Sequence, residues 1–340
     1  MRRAIKLKLS NYNLYDGEEP VLLKEVYPNY LEMNLPKWVL DDIENAYVVG
    51  SSFNAVVLPG NRRYSLNNRL NHLSGSEWIY FTNSVINTKF NTKGKDSFAH
   101  NIRKIHPTPK PPQLMREIIE FFTKENELVI DFFMGVGGTL LGASLANRRA
   151  IGFELNPDYI SAYIKAANEL NIKIENSFCV DSVEALENNQ FMKEVLNGDE
   201  VSLILIDPPY SNMMSRKKTG GDLPIHGANG TPFTNSSLDL GNVSYEVFKE
   251  KFLRTIISSV KYLKHRGYLV VFIKDLQPEK KTTNLLHADL IEIINSIDGL
   301  YYKGLKIWAD QTTKLYPYGY PFSFVANQIH QYILVFRKEN

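Results

Sequence analysis

From residue 111 onward, short aliphatic runs alternate with amphipathic stretches of helical period. In PPQLMREIIEFFT, Leu114, Ile118, Ile119 and Phe122 recur on one face, and the prolines stand at the start, where a helix needs no amide hydrogens. ELVIDFF then reads as a strand, TLLGASLAN as a helix, RAIGFEL as a strand and PDYISAYIKAANEL as a helix. SFCV follows as a strand, VEALENNQFMKEVL as one helix and VSLILID as a strand. Strands separated by helices require right-handed crossovers, so the expected fold class is α/β, a doubly wound Rossmann-like sheet that is mostly parallel. A Gly/Ser/Asn-rich inserted loop at 211–244 interrupts the alternation. Beyond it, EVFKEKFLRTIISSVKYLK and LLHADLIEIINSI read as helices and GYLVVFIKD as a strand, with YYKGLKIWA and HQYILVFRK as an antiparallel C-terminal hairpin. Residues 1–99 lack this order. Segments such as YPNYLEMNLPKW, VVLPGNRRY and INTKFNTKGK predict an irregular N-terminal region of strands and loops, with one helix near Lys37 to Asn45, ahead of a domain over 100–340.

The longest apolar runs are short, LVVFI at Leu269 to Ile273 for example, against the roughly 18 residues of a membrane span. The amino terminus starts basic and turns polar, unlike an export signal, so a cytoplasmic setting is expected. Cys179 is the only cysteine, which excludes an internal disulfide and a thiolate zinc site; within a strand it is expected to be a buried structural thiol. No metal site is predicted. The net charge of +2 is uneven: between Gly60 and Lys110 nine basic residues face two acidic ones, giving +7, so the remainder carries −5. Arg62, Arg63 and Arg69 are interleaved with asparagines and aromatics there, a mixture suited to phosphates and bases. On charge alone, a solvated basic loop explains them equally well.

Chemistry gathers at the strand ends. Asp131 closes the first strand of the alternating region and opens the turn Asp131-Phe-Phe-Met-Gly135-Val-Gly137-Gly138-Thr139, where glycines admit a ligand against the backbone and the following helix favours an anionic group. The next strand ends at Glu154, suited to both hydroxyls of a ribose, and the one after it runs into Asp181. Each acid singly could be a helix cap. Three in register describe a nucleoside pocket, which at this point could equally serve a pyridine dinucleotide.

The strand LILI then delivers Asp207-Pro208-Pro209-Tyr210. With it the chain resembles the S-adenosylmethionine-dependent DNA amino-methyltransferases, whose targets are the exocyclic amines of adenine or cytosine. The matching segments are HPTPKP at His106 to Pro111, DFFMGVGGT at Asp131 to Thr139, FELN at Phe153 to Asn156, and DPPY at Asp207 to Tyr210. The resemblance implies a methyltransferase sheet and S-adenosyl-L-methionine as cofactor. By the same resemblance His106, Thr108 and Lys110 would contact the methionine part, while Asp131, Phe133, Gly135, Gly137, Gly138 and Thr139 would hold its amino-acid end. Glu154 would take the ribose and Asp181 the adenine amine. Phe132 departs from the family's usual proline.

An exocyclic amine is a poor nucleophile because its lone pair is delocalised into the ring. Asp207 and the Pro208 carbonyl can accept its two hydrogens and aim the lone pair at a methyl group, Pro209 keeps the turn rigid, and Tyr210 offers a face to an extruded base. An Asp at the first position implies, by resemblance, adenine over cytosine. Target recognition falls either to the basic N-terminal region or to the insertion, where Arg216, Lys217 and Lys218 could meet phosphates of double-stranded DNA. Tyr316, Tyr318, Tyr320 and Phe322 are further candidates to line the base pocket. The resemblance also implies a cognate restriction or defence-system component as partner. An RNA methyltransferase would share the whole pocket, and a dinucleotide oxidoreductase would share the fold.

Overall fold

The computed structural model describes residues 10–211, 233–275, 285–312, 326 and 328–339. The chain divides into two compact units, Met1–Asn83 with Glu120–Glu125, and Ser84–Ile119 with Asn126–Asn340.

The larger unit is built on strands β5 (Val85–Thr88), β6 (Leu128–Asp131), β7 (Arg149–Glu154), β8 (Asn176–Cys179), β9 (Val201–Ile206), β10 (Leu263–Ile273), β11 (Leu300–Asp310) and β12 (His330–Lys338). Their spatial order is β5-β11-β12-β10-β9-β6-β7-β8. β8, β7, β6, β9 and β10 run parallel, whereas β12 is antiparallel to both β10 and β11. Every residue of β6 and β9 is buried, as expected of strands covered on both faces. Ile130, Ile204, Ile206, Phe248, Phe252, Val271 and Phe336 form part of one core around them. From β6 the chain moves outward through β7 and β8, then returns to β6's other side as β9. The topological reversal thus lies between β6 and β9, which brings Asp131 and Asp207 to one crevice at the carboxyl edge.

The helices include α1 (Gly75–Thr82) in the smaller unit, then α2 (Pro112–Phe122), α3 (Gly138–Leu145), α4 (Pro157–Glu169), α5 (Ser182–Glu187), α6 (Asn189–Leu196), α7 (Tyr245–Val260) and α8 (Leu286–Asn295). The single helix expected over VEALENNQFMKEVL is therefore two. Asn188 ends α5 and its side chain accepts from the Phe191 amide to cap α6, a role that asparagine fills better than a helix interior. A second correction concerns Cys179, which is exposed: β8 is an edge strand and leaves it outside the core. Phe132, the departure from proline, is fully buried and its carbonyl accepts from the Ser182 hydroxyl.

The smaller unit is more regular than its sequence suggests. β1 (Val21–Leu22), β2 (Tyr47–Val49), β3 (Ala55–Leu58) and β4 (Arg62–Ser65) form an antiparallel sheet over a core that includes Leu23, Val39, Val48, Val56 and Tyr64. Strands of two to four residues are too short to show periodicity. The expected helix near Lys37 to Asn45 is one turn, Lys37–Leu40, followed by a 3₁₀ turn, Ile43–Asn45. The Asn71 amide donates to the Phe121 carbonyl at 2.7 Å, which ties Glu120–Glu125 to this unit.

Among the described residues, no helix is long and apolar enough to cross a membrane. Helices α2 and α3 approach at Gly142, where an added Cβ would lie 2.8 Å from the Arg116 nitrogen and 2.9 Å from the Met115 Cβ. Overpacking at such a contact costs about 1–3 kcal/mol. Gly142→Ala is expected to lower the unfolding free energy by that margin, read in equilibrium titration as a lower urea midpoint at an unchanged denaturant slope.

Candidate active site

The site is assembled from four strand-to-helix junctions of the larger unit. At the first, β6 ends at Asp131, whose Oδ1 accepts from the Phe133 amide at 2.9 Å. Only 3 % of Asp131 is exposed. Burial pushes its carboxyl up to about 7; the Thr139 side chain and the Phe133 amide oppose this, while the Asp207 and Glu154 charges add to it. Gly137, in the left-handed region at φ 74°, caps α3.

Glu154 ends β7 and reaches back over the glycine turn. Its Oε2 accepts from the Gly135 amide at 2.8 Å and its Oε1 from the Asn156 amide at 2.9 Å. Burial raises its pKa, these amides and that of Leu155 oppose the rise, and Asp239 augments it. Asp181, after β8, accepts from the Glu184 amide at 2.9 Å as the N-cap of α5. The capping role and the expected adenine contact thus fall on the same carboxylate.

The fourth junction is Asp207 to Tyr210, after β9. Asp207 Oδ2 lies 2.5 Å from Lys110 Nζ, in an ion pair whose side chains are 19 % and 9 % exposed respectively. The same ammonium sits 5.3 Å from the centre of the Phe272 ring. Burial raises the Asp207 pKa, and Lys110 opposes the rise through its charge and hydrogen bond. Pro208 is buried and Pro209 half-buried. Tyr210 lies within the core, 7 % exposed, and burial with the charges of Asp207 and Asp275 holds its phenol well above the ordinary value. Ser211 follows at φ 52°, and its hydroxyl donates to the Val243 carbonyl, fixing the chain reversal behind the motif.

The HPTPKP segment, which follows no strand, supplies a further wall. His106 Nδ1 accepts from the Thr108 amide at 3.2 Å, which leaves the ring proton on Nε2 toward Gly135. Burial, then the cations Lys110 and Arg103, push His106 down to about 3, so the ring is neutral. It stacks on Phe233 and meets Tyr159 edge-on, both at 4.9 Å. Lys110, though expected to touch the cofactor, is held by Asp207. His106, Thr108, Lys110, Asp131, Phe133, Gly135, Gly138, Thr139 and Asp207 line one pocket. Gly137, Glu154, Asp181 and Tyr210 stand outside that lining.

Three elements of the site gave no sequence signal. Arg103, only 1 % exposed, donates to the carbonyls of Lys110 at 2.8 Å and Phe98 at 3.3 Å and so fixes the lysine's backbone. Phe233 and Asp239 belong to a second such element, in which the Tyr159 hydroxyl donates to the Phe233 carbonyl and Asp239 accepts from Thr234 and Gly241. The third is the contact at Gly138, where an added Cβ would lie 3.0 Å from the Lys110 carbonyl, so only glycine lets this segment rest against α3.

The basic residues divide. Arg63 is bound to Glu18 at 2.7 and 2.9 Å and lies over Tyr15, so it is a structural cation of the smaller unit rather than a free phosphate contact. Arg62 stacks on Trp38 at 3.9 Å and Arg69 is exposed. Arg216, Lys217, Lys218, Tyr316, Tyr318, Tyr320 and Phe322 lie outside the described residues.

The pocket fits S-adenosylmethionine by the chemistry of its walls: the carboxylates of Asp131 and Asp207 line it together with Thr139 and the glycine turn at Gly135 and Gly138. The buried Thr139 hydroxyl beside Asp131 has no partner in full hydrogen-bonding geometry, leaving a polar atom for a ligand. Among the described residues, no group of three or more His, Cys, Asp or Glu could hold a metal ion.

Asp131 also has a stability signature. Its folded pKa, about 7, exceeds its unfolded value of 3.8, so its contribution is fully present below pH 3.8 and is lost as pH rises through 7. The wild-type protein is therefore expected to lose roughly 3–5 kcal/mol relative to Asp131→Asn between pH 4 and 8, read from urea midpoints across that range.

Comparison with known proteins agrees with this geometry. A family profile described as DNA methylase, of the N6/N4 type, matches residues 36–165, a span that holds the glycine turn and Glu154 and ends before Asp207. The chain is 31 % identical over 160 residues to the Type II methyltransferase M1.MboII of Moraxella bovis, covering 46 % of this chain and 56 % of that one. It is 42 % identical over 73 residues to the Type II methyltransferase M.HindIII of Haemophilus influenzae, 22 % of this chain and 23 % of the relative. A tRNA (guanine(10)-N2)-dimethyltransferase of Methanocaldococcus jannaschii is 27 % identical over 142 residues, 42 % of this chain and 40 % of that protein. The chain thus matches less than two thirds of the length of each of these relatives. The profile and the Type II relatives, with the ordered motifs around one pocket, support membership of the DNA amino-methyltransferase family.

Proposed function

We propose that this protein is a DNA methyltransferase that carries the methyl group of S-adenosylmethionine to the 6-amino group of adenine in double-stranded DNA after extrusion of the base. The observation that carries this reading is the meeting of the Asp207 turn with Asp131 and the glycine turn around one pocket at the β6/β9 reversal. When bound, the cofactor supplies an electrophilic methyl group on a sulfonium. The chain's own task is to position the amine and shape its lone pair. Lys110 holds Oδ2 of Asp207, so Oδ1 is the oxygen offered to an amine hydrogen, with the Pro208 carbonyl as second acceptor. Neutral His106, fixed by the Thr108 amide, adds no charge near the donor. The buried Tyr210 backs the turn instead of lying open, so an extruded base must be received by residues beyond it.

Adenine follows from Asp in the first position, by family resemblance; cytosine N4-methylation would use the same two acceptors. The tRNA-modifying relative keeps an RNA substrate as the second reading. The implied partner is duplex DNA, with a cognate restriction or defence component.

Incubation with labelled S-adenosylmethionine and duplex DNA, followed by nucleoside analysis, is expected to yield N6-methyladenine. Asp207→Ala should lower the rate by about 100-fold or more. Label found only in N4-methylcytosine would overturn the base assignment, and label found only in tRNA the substrate. Replacing the exposed Arg69 with alanine is expected to weaken DNA binding and to reduce the salt slope by about one, measured by titration at several ionic strengths. Arg63→Ala should appear instead as a lower melting temperature, since it breaks the Glu18 pair.

A further inference from the structure

A cation is already resident in the pocket meant for a cationic donor. Lys110 lines the same cavity as Asp131, Thr139 and the glycine turn, and its Nζ is bound to the carboxylate that the chemistry uses. Three features hold it there. The side chain is 9 % exposed, the ammonium faces the Phe272 ring, and the Lys110 carbonyl is gripped by buried Arg103 while its backbone rests against Gly138. A lysine so constrained on both backbone and side chain is not a solvated bystander.

We propose that Lys110 is the built-in counter-ion of Asp207, a positioning residue that keeps this carboxylate ionised and oriented and makes the pocket sense the charge difference between the sulfonium donor and its neutral thioether product. The inference rests on the methyl-transfer reading of the same site. Its physical basis is that a buried carboxylate without a partner takes up a proton, and a protonated Asp207 loses an acceptor site for the amine. Among the described residues, the groups coupled electrostatically to Asp207 are Lys110 ahead of α2, Asp131 at the end of β6 and Tyr210 on its own turn, with Asp275 after β10 beyond the tyrosine. Lys110 is the cation among them. The same ammonium repels a second cation brought into the cavity and does not repel a neutral thioether.

The test compares wild type with Lys110→Met and Lys110→Arg. Single-turnover rates against pH are expected to show the acid limb of Lys110→Met moved upward by about one to three pH units, with Lys110→Arg close to wild type. Asp207 is the raised acid here, so activity is lost as pH falls and the loss comes earlier without Lys110. Calorimetric titration on the alkaline side of both limbs should show the affinity for S-adenosylmethionine relative to S-adenosylhomocysteine rising several-fold in Lys110→Met. Arginine should preserve the wild-type ratio. If Lys110→Met melts like wild type yet leaves both the limb and the ratio unchanged, the counter-ion role is overturned. Should Lys110→Met fail to fold, Lys110→Arg decides: loss of the wild-type limb and ratio in a variant that keeps the positive charge overturns the proposal. Wild type that binds neither compound overturns the methyl-transfer reading, and this inference with it.

Discussion

The site depends on placing acids where water does not compensate them. Asp131, Glu154 and Asp207 stand at the carboxyl edge of three adjacent parallel strands, and burial raises the pKa of each. Removing a carboxylate from water costs several kcal/mol unless partners replace the solvent. Each acid here has different replacements. Glu154 takes backbone amides, Asp131 takes one amide with a threonine beside it, and Asp207 takes an ammonium. Those differences leave the three acids in distinct electrostatic settings along one sheet edge.

The replacements explain why distant-looking features belong to the same machine. The Gly135 amide can reach Glu154 because the glycine turn folds back over β7, and the Lys110 ammonium can reach Asp207 because Gly138 lets its backbone lie against α3. Arg103 then acts one step further out, through the Lys110 carbonyl. A buried guanidinium used to fix a main-chain carbonyl is costly, and burial alone pulls its pKa down to about 10. The cost is consistent with a segment whose exact placement matters to Asp207.

Much of this was legible in the sequence because the relevant information is local. Strand ends are marked by aliphatic runs stopping at an acid, as in LVID and LILID, and the alternation with helices specifies a parallel sheet whose reversal gathers those ends. What was not legible depends on long-range pairing. Lys110 and Asp207 are 97 residues apart, and nothing in HPTPKP distinguishes a lysine for a ligand from a lysine for a carboxylate. Phe233 stacks on His106 from within an insertion of no visible pattern. In the smaller unit the failure had another cause: strands as short as Val21–Leu22 leave no period to read, and their sheet is specified by partners across the chain.

The basic segment shows how a charge count can mislead when burial is unknown. Of its nine cations, Arg63 belongs to Glu18, Arg103 to two carbonyls and Lys110 to Asp207, and the Arg62 guanidinium stacks on an indole. Arg69, Lys89, Lys93, Lys95 and Lys104 stay exposed, so the surface available to phosphates is smaller than +7 implies. Counterion release scales with the cations that actually meet phosphates. Under the proposed reading, so modest an exposed set would give weak, readily reversed contact with a duplex backbone and leave discrimination to the base pocket.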